Sequence, residues 1–237
     1  MLKKYYNKIY KNFIKKEFSI FRDIQKRIPE FEMFNFFDVG ANEGFVALEV
    51  LENYPNCEIY CFEPNINTYN KLKFLNKNIN SYNYAIGNNL QKVFITDYKN
   101  STLNTITNKI EHGVMSYEVD MITLDLFCLK NNIHKISYLK IDTEGHDLEV
   151  LKGSISKLSS QEIAFIEVEA GMNLKNFKHV HLQDFINFFH NYNYNLFKIY
   201  EQVSERSHDY KSNFYFLRRS NIVFVLNDLN NFFIKKV

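Results

Sequence analysis

The sequence predicts an α/β fold: a mostly parallel sheet with helices on both faces, behind an N-terminal helical extension. Three observations predict it. From Phe34 onward, short apolar runs alternate with segments of helical spacing, the pattern of a parallel sheet covered on both sides. The first run ends in a glycine turn, FFDVGANEGF (Phe36–Phe45), and the second ends in CFEPN, where Pro64 stops the strand. A later apolar run, YLKI, carries a group of ionisable residues to its carboxyl end, where open α/β sheets bind ligands.

The elements follow in order. Leu2, Tyr6, Ile9, Phe13, Ile14, Phe21, Ile24 and Ile28 recur at roughly helical spacing with lysines between, giving one or two amphipathic helices that end near Pro29. Such a helix packs on its own domain or on a second subunit, which allows a homodimer through it; its basic face also suits an anionic membrane surface. MFNFFDV is the first strand and GFVALEVLENY a helix, then strand EIYCF and helix NTYNKLKFLNKN. SYNYAI reads as a third strand, and KVFITD as a strand of a small excursion. Helix LDLFCLKNN, strand ISYLKI, helix HDLEVLKGSISKL, strand IAFIEV and helix VHLQDFINFFHNY come next. NLFKIY and NIVFVL close the sheet across a polar, aromatic connection. With no internal repeat or low-complexity linker, residues 1–30 form the extension and 31–237 one domain.

Bulk properties narrow the function. Apolar content of 46% with 24% charged residues marks a soluble globular chain. No run approaches the roughly 18 apolar residues of a membrane span, and no secretory signal is evident, so a cytoplasmic location is expected. Three cysteines without a CxxC pair read as core packing. Residues 1–28 hold nine Lys/Arg against two acids, and the other 209 residues hold 20 against 25. The body therefore carries no broad basic field for a nucleic acid backbone, and nucleic acid is not the expected partner.

The glycine turn excludes one cofactor class. A dinucleotide fingerprint places a glycine between the two of Gly40 and Gly44, so that the backbone approaches a pyrophosphate. Asn42 stands there and obstructs that approach. Glu63, 25 residues after Asp38 and at the end of the second strand, is placed to accept hydrogen bonds from both hydroxyls of a ribose. A ribose without a pyrophosphate points to S-adenosylmethionine, and away from a nicotinamide oxidoreductase.

The second constellation is YLKIDTEGHDLEVLKG, Tyr138 to Gly153. It brings Lys140, Asp142, Glu144 and His146 to one strand terminus, which is costly unless they are solvated, paired or used. FIEVEAG brings Glu167 and Glu169 to the same edge on one face.

In this order, DVGANEG, FEPN, NYAIGN, the STL of Ser101–Leu103, ITLDLF, YLKIDTEGHDLEVLKG and FIEVE resemble the FkbM-type methyltransferases, over roughly Phe34 to Ala170. The resemblance implies the seven-stranded, Rossmann-like class I methyltransferase fold and O-methylation of small hydroxylated substrates. It also implies that Asp38, Gly40, Asn42 and Glu63 hold S-adenosylmethionine, with Gly44 and Pro64 in the same turns and Asn83 to Ala85 beside the adenine. Asp142 and Glu144 would face the transferred methyl.

An alcohol is a poor nucleophile, so a general base or a metal is needed. Asp142 is the first candidate and His146 the second, while Glu167 would orient a base or complete a magnesium site with Asp142. No metal site is assigned. His179-x-His181 lacks a nearby third ligand in the sequence and reads as surface. The connection from Val203 to Arg219 holds aromatics, His208 and the cations Lys211, Arg218 and Arg219, which suit a sugar carrying a phosphate. The expected acceptor is a sugar hydroxyl, on a sugar nucleotide or a surface-glycan precursor such as a capsule unit. The alternatives are another small-molecule alcohol or a catalytically silent binding protein of the same fold.

Overall fold

The computed structural model describes residues 20–97, 106–107, 115–206 and 214–233. A helix through residues 20–27 (α1) leads into β1 (Asn35–Val39), α2 (Phe45–Asn53), β2 (Glu58–Phe62), α3 (Ile66–Lys73) and β3 (Ile79–Tyr82). An excursion follows: β4 (Ala85–Ile86), β5 (Gln91–Asp97), β6 (Ile106–Thr107) and β7 (Met115–Ile122). The chain returns through α4 (Leu124–Lys130), β8 (Ile136–Ile141), α5 (Asp147–Lys152), α6 (Ile155–Ser159) and β9 (Ile163–Gly171). It closes with α7 (Leu182–Phe189), β10 (Tyr194–Arg206), β11 (Tyr215–Leu226) and α8 (Leu229–Phe233).

The main sheet has seven strands in the order β10-β11-β9-β8-β1-β2-β3. β3, β2, β1, β8 and β9 run parallel, and β11 enters antiparallel between β9 and β10. The chain builds outward from β1 to β3, then crosses back to β8 on the other side of β1, so the strand order reverses between β1 and β8. That reversal opens a crevice at their carboxyl ends. Every residue of β1, β8 and β9 is buried, as a sheet covered on both faces requires.

Four readings of the sequence change. SYNYAI is not one strand: Asn83 donates its side-chain amide to the carbonyls of Glu63 and Pro64, both at 2.9 Å, and this tether turns Ala85–Ile86 into a second, four-stranded sheet. The excursion is larger than KVFITD alone, because β7 pairs with both β4 and β5. HDLEVLKGSISKL makes two short helices that part at Gly153, where a Cβ would come within 1.9 Å of the Gly87 carbonyl oxygen. Most of the polar connection from Val203 is strand: β10 runs to Arg206 and β11 starts at Tyr215. His208 and Lys211 lie outside the described residues, as do Ser101–Leu103 and residues 1–19.

The described part of the N-terminal segment packs inward. Ile20, Phe21 and Ile24 are buried, and Phe21 meets Phe36, Tyr54 and Tyr138 edge-on at 5.6–6.4 Å. Asp23 ties it to β10 through Lys198 and Tyr200. Among the described residues no helix is long and apolar enough to cross a membrane. Cys57, Cys61 and Cys128 are buried free thiols, as core packing predicts.

Candidate active site

A cleft of about 490 Å³ opens where the strand order reverses, within the size range of small-molecule sites. Strand register sets its floor, where Asp38 of β1 pairs with Lys140 of β8. The turns after β1 and β8 wall it, with the β2 terminus on one side and the β9–β11 edge on the other.

One end gathers acceptor groups. Asp38 is buried with neither carboxylate oxygen hydrogen-bonded among the described residues; the Lys140 ammonium stands 3.8 Å away. Burial pushes its carboxyl up to about 6, against the opposing pull of Lys140. Asn42 holds a left-handed backbone (φ 48°), its side-chain oxygen buried without a partner and its N–H donated to Glu63 at 2.8 Å. The other Glu63 oxygen accepts the Asn65 N–H at 2.8 Å, so two backbone bonds fix the carboxylate at the cleft wall. Desolvation raises the Glu63 carboxyl to about 7 in spite of those bonds. Pro64 and Ala85 line the same end.

Gly44 and Asn83 shape this end without lining it. Gly44 caps α2 in the left-handed region (φ 78°), where a Cβ would strike Leu72 at 2.5 Å. Asn83 holds the β2 terminus by the tether already described.

The opposite end is ionic. Asp142 receives Lys140 at 3.0 Å; burial would raise its carboxyl, but Lys140, with Arg219 and His179 nearby, holds it below the ordinary carboxylate range. Glu144 sits in the left-handed region (φ 55°), followed by Gly145 (φ 103°), where an added Cβ would stand 2.2 Å from the Lys178 carbonyl oxygen. This close approach brings Glu144 within 2.6 Å of the Lys178 ammonium. Glu169 pairs with Arg219 through one oxygen and with His179 Nε2, at 2.7 Å, through the other.

Two expected residues stand away from the cleft. His146 forms the N-cap of α5, its ring pKa lowered by burial, and Glu167, although in register with Lys140, does not line the cleft. Glu167 is closed by the Tyr138 hydroxyl at 2.7 Å and the Asn221 amide at 2.8 Å, so a magnesium pair with Asp142 is not assembled. Two residues further along β9, on the same face, Glu169 reaches the cleft instead.

His179 corrects the surface reading: it is buried in the cleft wall, its pKa lowered by desolvation. Its partners Glu144 and Glu169 are distant in sequence, and only the alternation of FIEVEAG hinted that Glu169 faces the site.

Comparisons with known proteins agree with this architecture. The family profile described as "Methyltransferase FkbM domain" matches residues 38–196. The hexuronic acid methyltransferase AglP of Haloferax volcanii is 27% identical over 142 residues, 58% of this chain; the match spans only 57% of that relative. A crystal structure of Methyltransferase FkbM from Methylobacillus flagellatus KT shares the fold at 14% identity and a TM-score of 0.50, over 81% of this chain and 43% of that one. TrmK of M. capricolum, solved with S-adenosylhomocysteine, is similar at 14% identity and a TM-score of 0.43, over 82% and 62% of the two chains.

Proposed function

The chain belongs to the FkbM methyltransferase family, and on that premise we propose that it is a class I, S-adenosylmethionine-dependent O-methyltransferase of a sugar hydroxyl. The observation that carries the reading is the cleft's division: buried acceptors without a hydrogen bond among the described residues at one end, and a paired ionic cluster at the other. The first end fits S-adenosylmethionine. The Asp38 carboxylate and Asn42 oxygen, neither hydrogen-bonded among the described residues, suit a cationic, hydrogen-bond-donating ligand, and Glu63 retains lone pairs for a ribose diol. Asn42 lines the cleft at the position where a dinucleotide turn carries a glycine, which argues against a pyrophosphate there.

When bound, this cofactor supplies a methyl group on a sulfonium leaving group. The chain's own residues then have three tasks. Glu63, Asp38 and Asn42 bind and orient. Asp142, held ionised by Lys140, accepts the hydrogen bond of the acceptor hydroxyl and fixes its oxygen for in-line displacement. Asp142 would take the hydroxyl proton as that oxygen accepts the methyl group.

A sugar acceptor is supported by the relative named for a hexuronic acid and by Lys178, Arg218 and Arg219 at the ionic end, which suit a carboxylate or phosphate on the sugar. The test incubates the protein and methyl-labelled S-adenosylmethionine with hexoses, hexuronic acids and sugar nucleotides, followed by mass spectrometry. Gain of one methyl on a sugar is expected. Methylation of another alcohol alone would overturn the sugar assignment, and thermal stabilisation by NAD but not by S-adenosylmethionine would overturn the cofactor.

A further inference from the structure

We propose that Glu144, Glu169 and His179 form a binding site for one divalent transition-metal cation, of the Mn²⁺ or Zn²⁺ class, at the ionic end of the cleft. The ligand atoms of the three side chains lie within 4.8 Å of one another, and all three residues line the cleft.

Hydrogen-bond accounting makes the case. The Asn176 amide is fixed: its nitrogen donates to the Arg218 carbonyl at 3.0 Å, and its oxygen accepts the backbone N–H groups of Lys178 at 3.1 Å and His179 at 3.3 Å. That same oxygen lies 3.0 Å from His179 Nδ1, so Nδ1 must carry the hydrogen. In the neutral ring Nε2 is then a bare lone pair. It points at Glu169 Oε2 at 2.7 Å, with Glu144 Oε2 at 3.9 Å. The Nε2 lone pair thus faces two carboxylate oxygens, of which Glu144 Oε2 is met by the Lys178 ammonium at 2.6 Å and Glu169 Oε2 by His179 alone among the described residues, an arrangement that a metal cation would resolve.

The surroundings suit a metal. A ligating histidine ordinarily donates its other ring N–H to a carbonyl or carboxylate, which sets tautomer and orientation; Asn176 fills that place. Arg219 engages Glu169 through Oε1, leaving Oε2 for the site. Lys178 is a partly exposed cation whose pairing with Glu144 is cheap to exchange. Two carboxylates with one imidazole favour Mn²⁺, Fe²⁺ or Zn²⁺, whereas Mg²⁺ prefers oxygen ligands and retained water. Three protein ligands leave open positions for oxygens of a polyhydroxylated acceptor. Cation binding itself does not depend on the methyl-transfer reading.

The experiment uses the full chain stripped with chelator, titrated with Mn²⁺ under electron paramagnetic resonance and with Zn²⁺ by calorimetry, with Mg²⁺ for comparison. Wild type is expected to bind one equivalent of Mn²⁺ or Zn²⁺, and Mg²⁺ more weakly. Glu169→Gln, His179→Gln and the half-buried Glu144→Gln should each weaken binding about tenfold or more, and Asn176→Ala about tenfold. His146→Gln, outside the cleft, should bind as wild type. Should Glu169→Gln fail to fold, Glu144→Gln and Asn176→Ala carry the test. The proposal is overturned if wild type binds no stoichiometric Mn²⁺ or Zn²⁺, or if the cleft variants bind as wild type does. Nitrogen-15 resonances showing a doubly protonated His179 ring in metal-supplemented protein would equally overturn it, by giving the central place to a proton.

Discussion

A Cβ added to Gly40 would stand 2.0 Å from the carbonyl oxygen of Asp142, so the turns after β1 and β8 meet backbone to backbone. This contact joins the two ends of the cleft. Gly40 also holds φ +84°, a conformation side chains resist. Gly40→Ala is therefore expected to destabilise the fold by about 2 kcal/mol or more, lowering Tm by roughly 5 °C or more, and to weaken cofactor binding. An unchanged thermal midpoint would show that the two turns move apart freely.

On the proposed reading, Glu63 should make cofactor binding pH-dependent. Its carboxyl, raised to about 7 in the free protein, must be ionised to accept hydrogen bonds from both ribose hydroxyls. Affinity for S-adenosylmethionine is thus level above about pH 8 and falls as pH drops through 7, with Asp38, near 6, adding to the loss at lower pH. Calorimetry is expected to give several-fold weaker binding at pH 6 than at pH 8. Glu63→Gln should bind about tenfold more weakly at pH 8 and flatten the profile. A steep profile retained in that variant would move the titration elsewhere.

Asp142→Asn keeps the side-chain shape and removes the charge that faces Lys140. Cofactor affinity should stay within a few-fold while turnover falls by about 10²–10⁴. Single-turnover methyl transfer at the wild-type rate would remove Asp142 as proton acceptor.

Arg218 reaches the cleft while held loosely by Glu205 at 3.7 Å. Arg218→Ala should raise KM for an anionic sugar by roughly tenfold and leave S-adenosylmethionine affinity intact, and added salt should weaken the wild-type acceptor interaction in the same selective way. Equal effects on neutral and anionic sugars would assign Arg218 to packing.

Glu49, on α2, is buried with neither oxygen hydrogen-bonded among the described residues. Desolvation, followed by repulsion from Glu52, raises its carboxyl from 4.5 to about 7. The folded state therefore holds this proton more tightly than the unfolded state. The stability it contributes is full below about pH 4.5 and is lost as pH rises through 7. Glu49→Gln should match wild type near pH 4 and exceed it at pH 8 by about 1–3 kcal/mol in urea unfolding. Parallel pH profiles for the two proteins would refute the assignment.

Much of the end of the cleft around Asp38, Asn42 and Glu63 was legible because its signals are local. Gly40, Asn42, Gly44 and the Glu63–Pro64 strand stop lie in two short turns whose spacing alone fixes where they fall. The ionic end was legible in composition but not in arrangement. Both Glu167 and Glu169 sit on the predicted face of β9, yet which of them meets the cleft depends on where β8 stops beside it. His179 gave no local signal, since its partners come from the turn after β8 and the end of β9.

The sequence by itself determined the alternation of strands and helices, the glycine turn with Asn42 in it, and the carboxylates carried to the strand ends. Period, turn chemistry and proline stops act over a few residues, so they survive in one dimension. Tertiary structure alone decided that Glu167 is sealed by Tyr138 and Asn221, that Glu169 is open to the cleft, and that the segment before α7 folds onto Gly145 to bring in His179. These outcomes rest on the register between strands far apart in the chain and on backbone packed close enough to exclude a Cβ, and no local pattern encodes either.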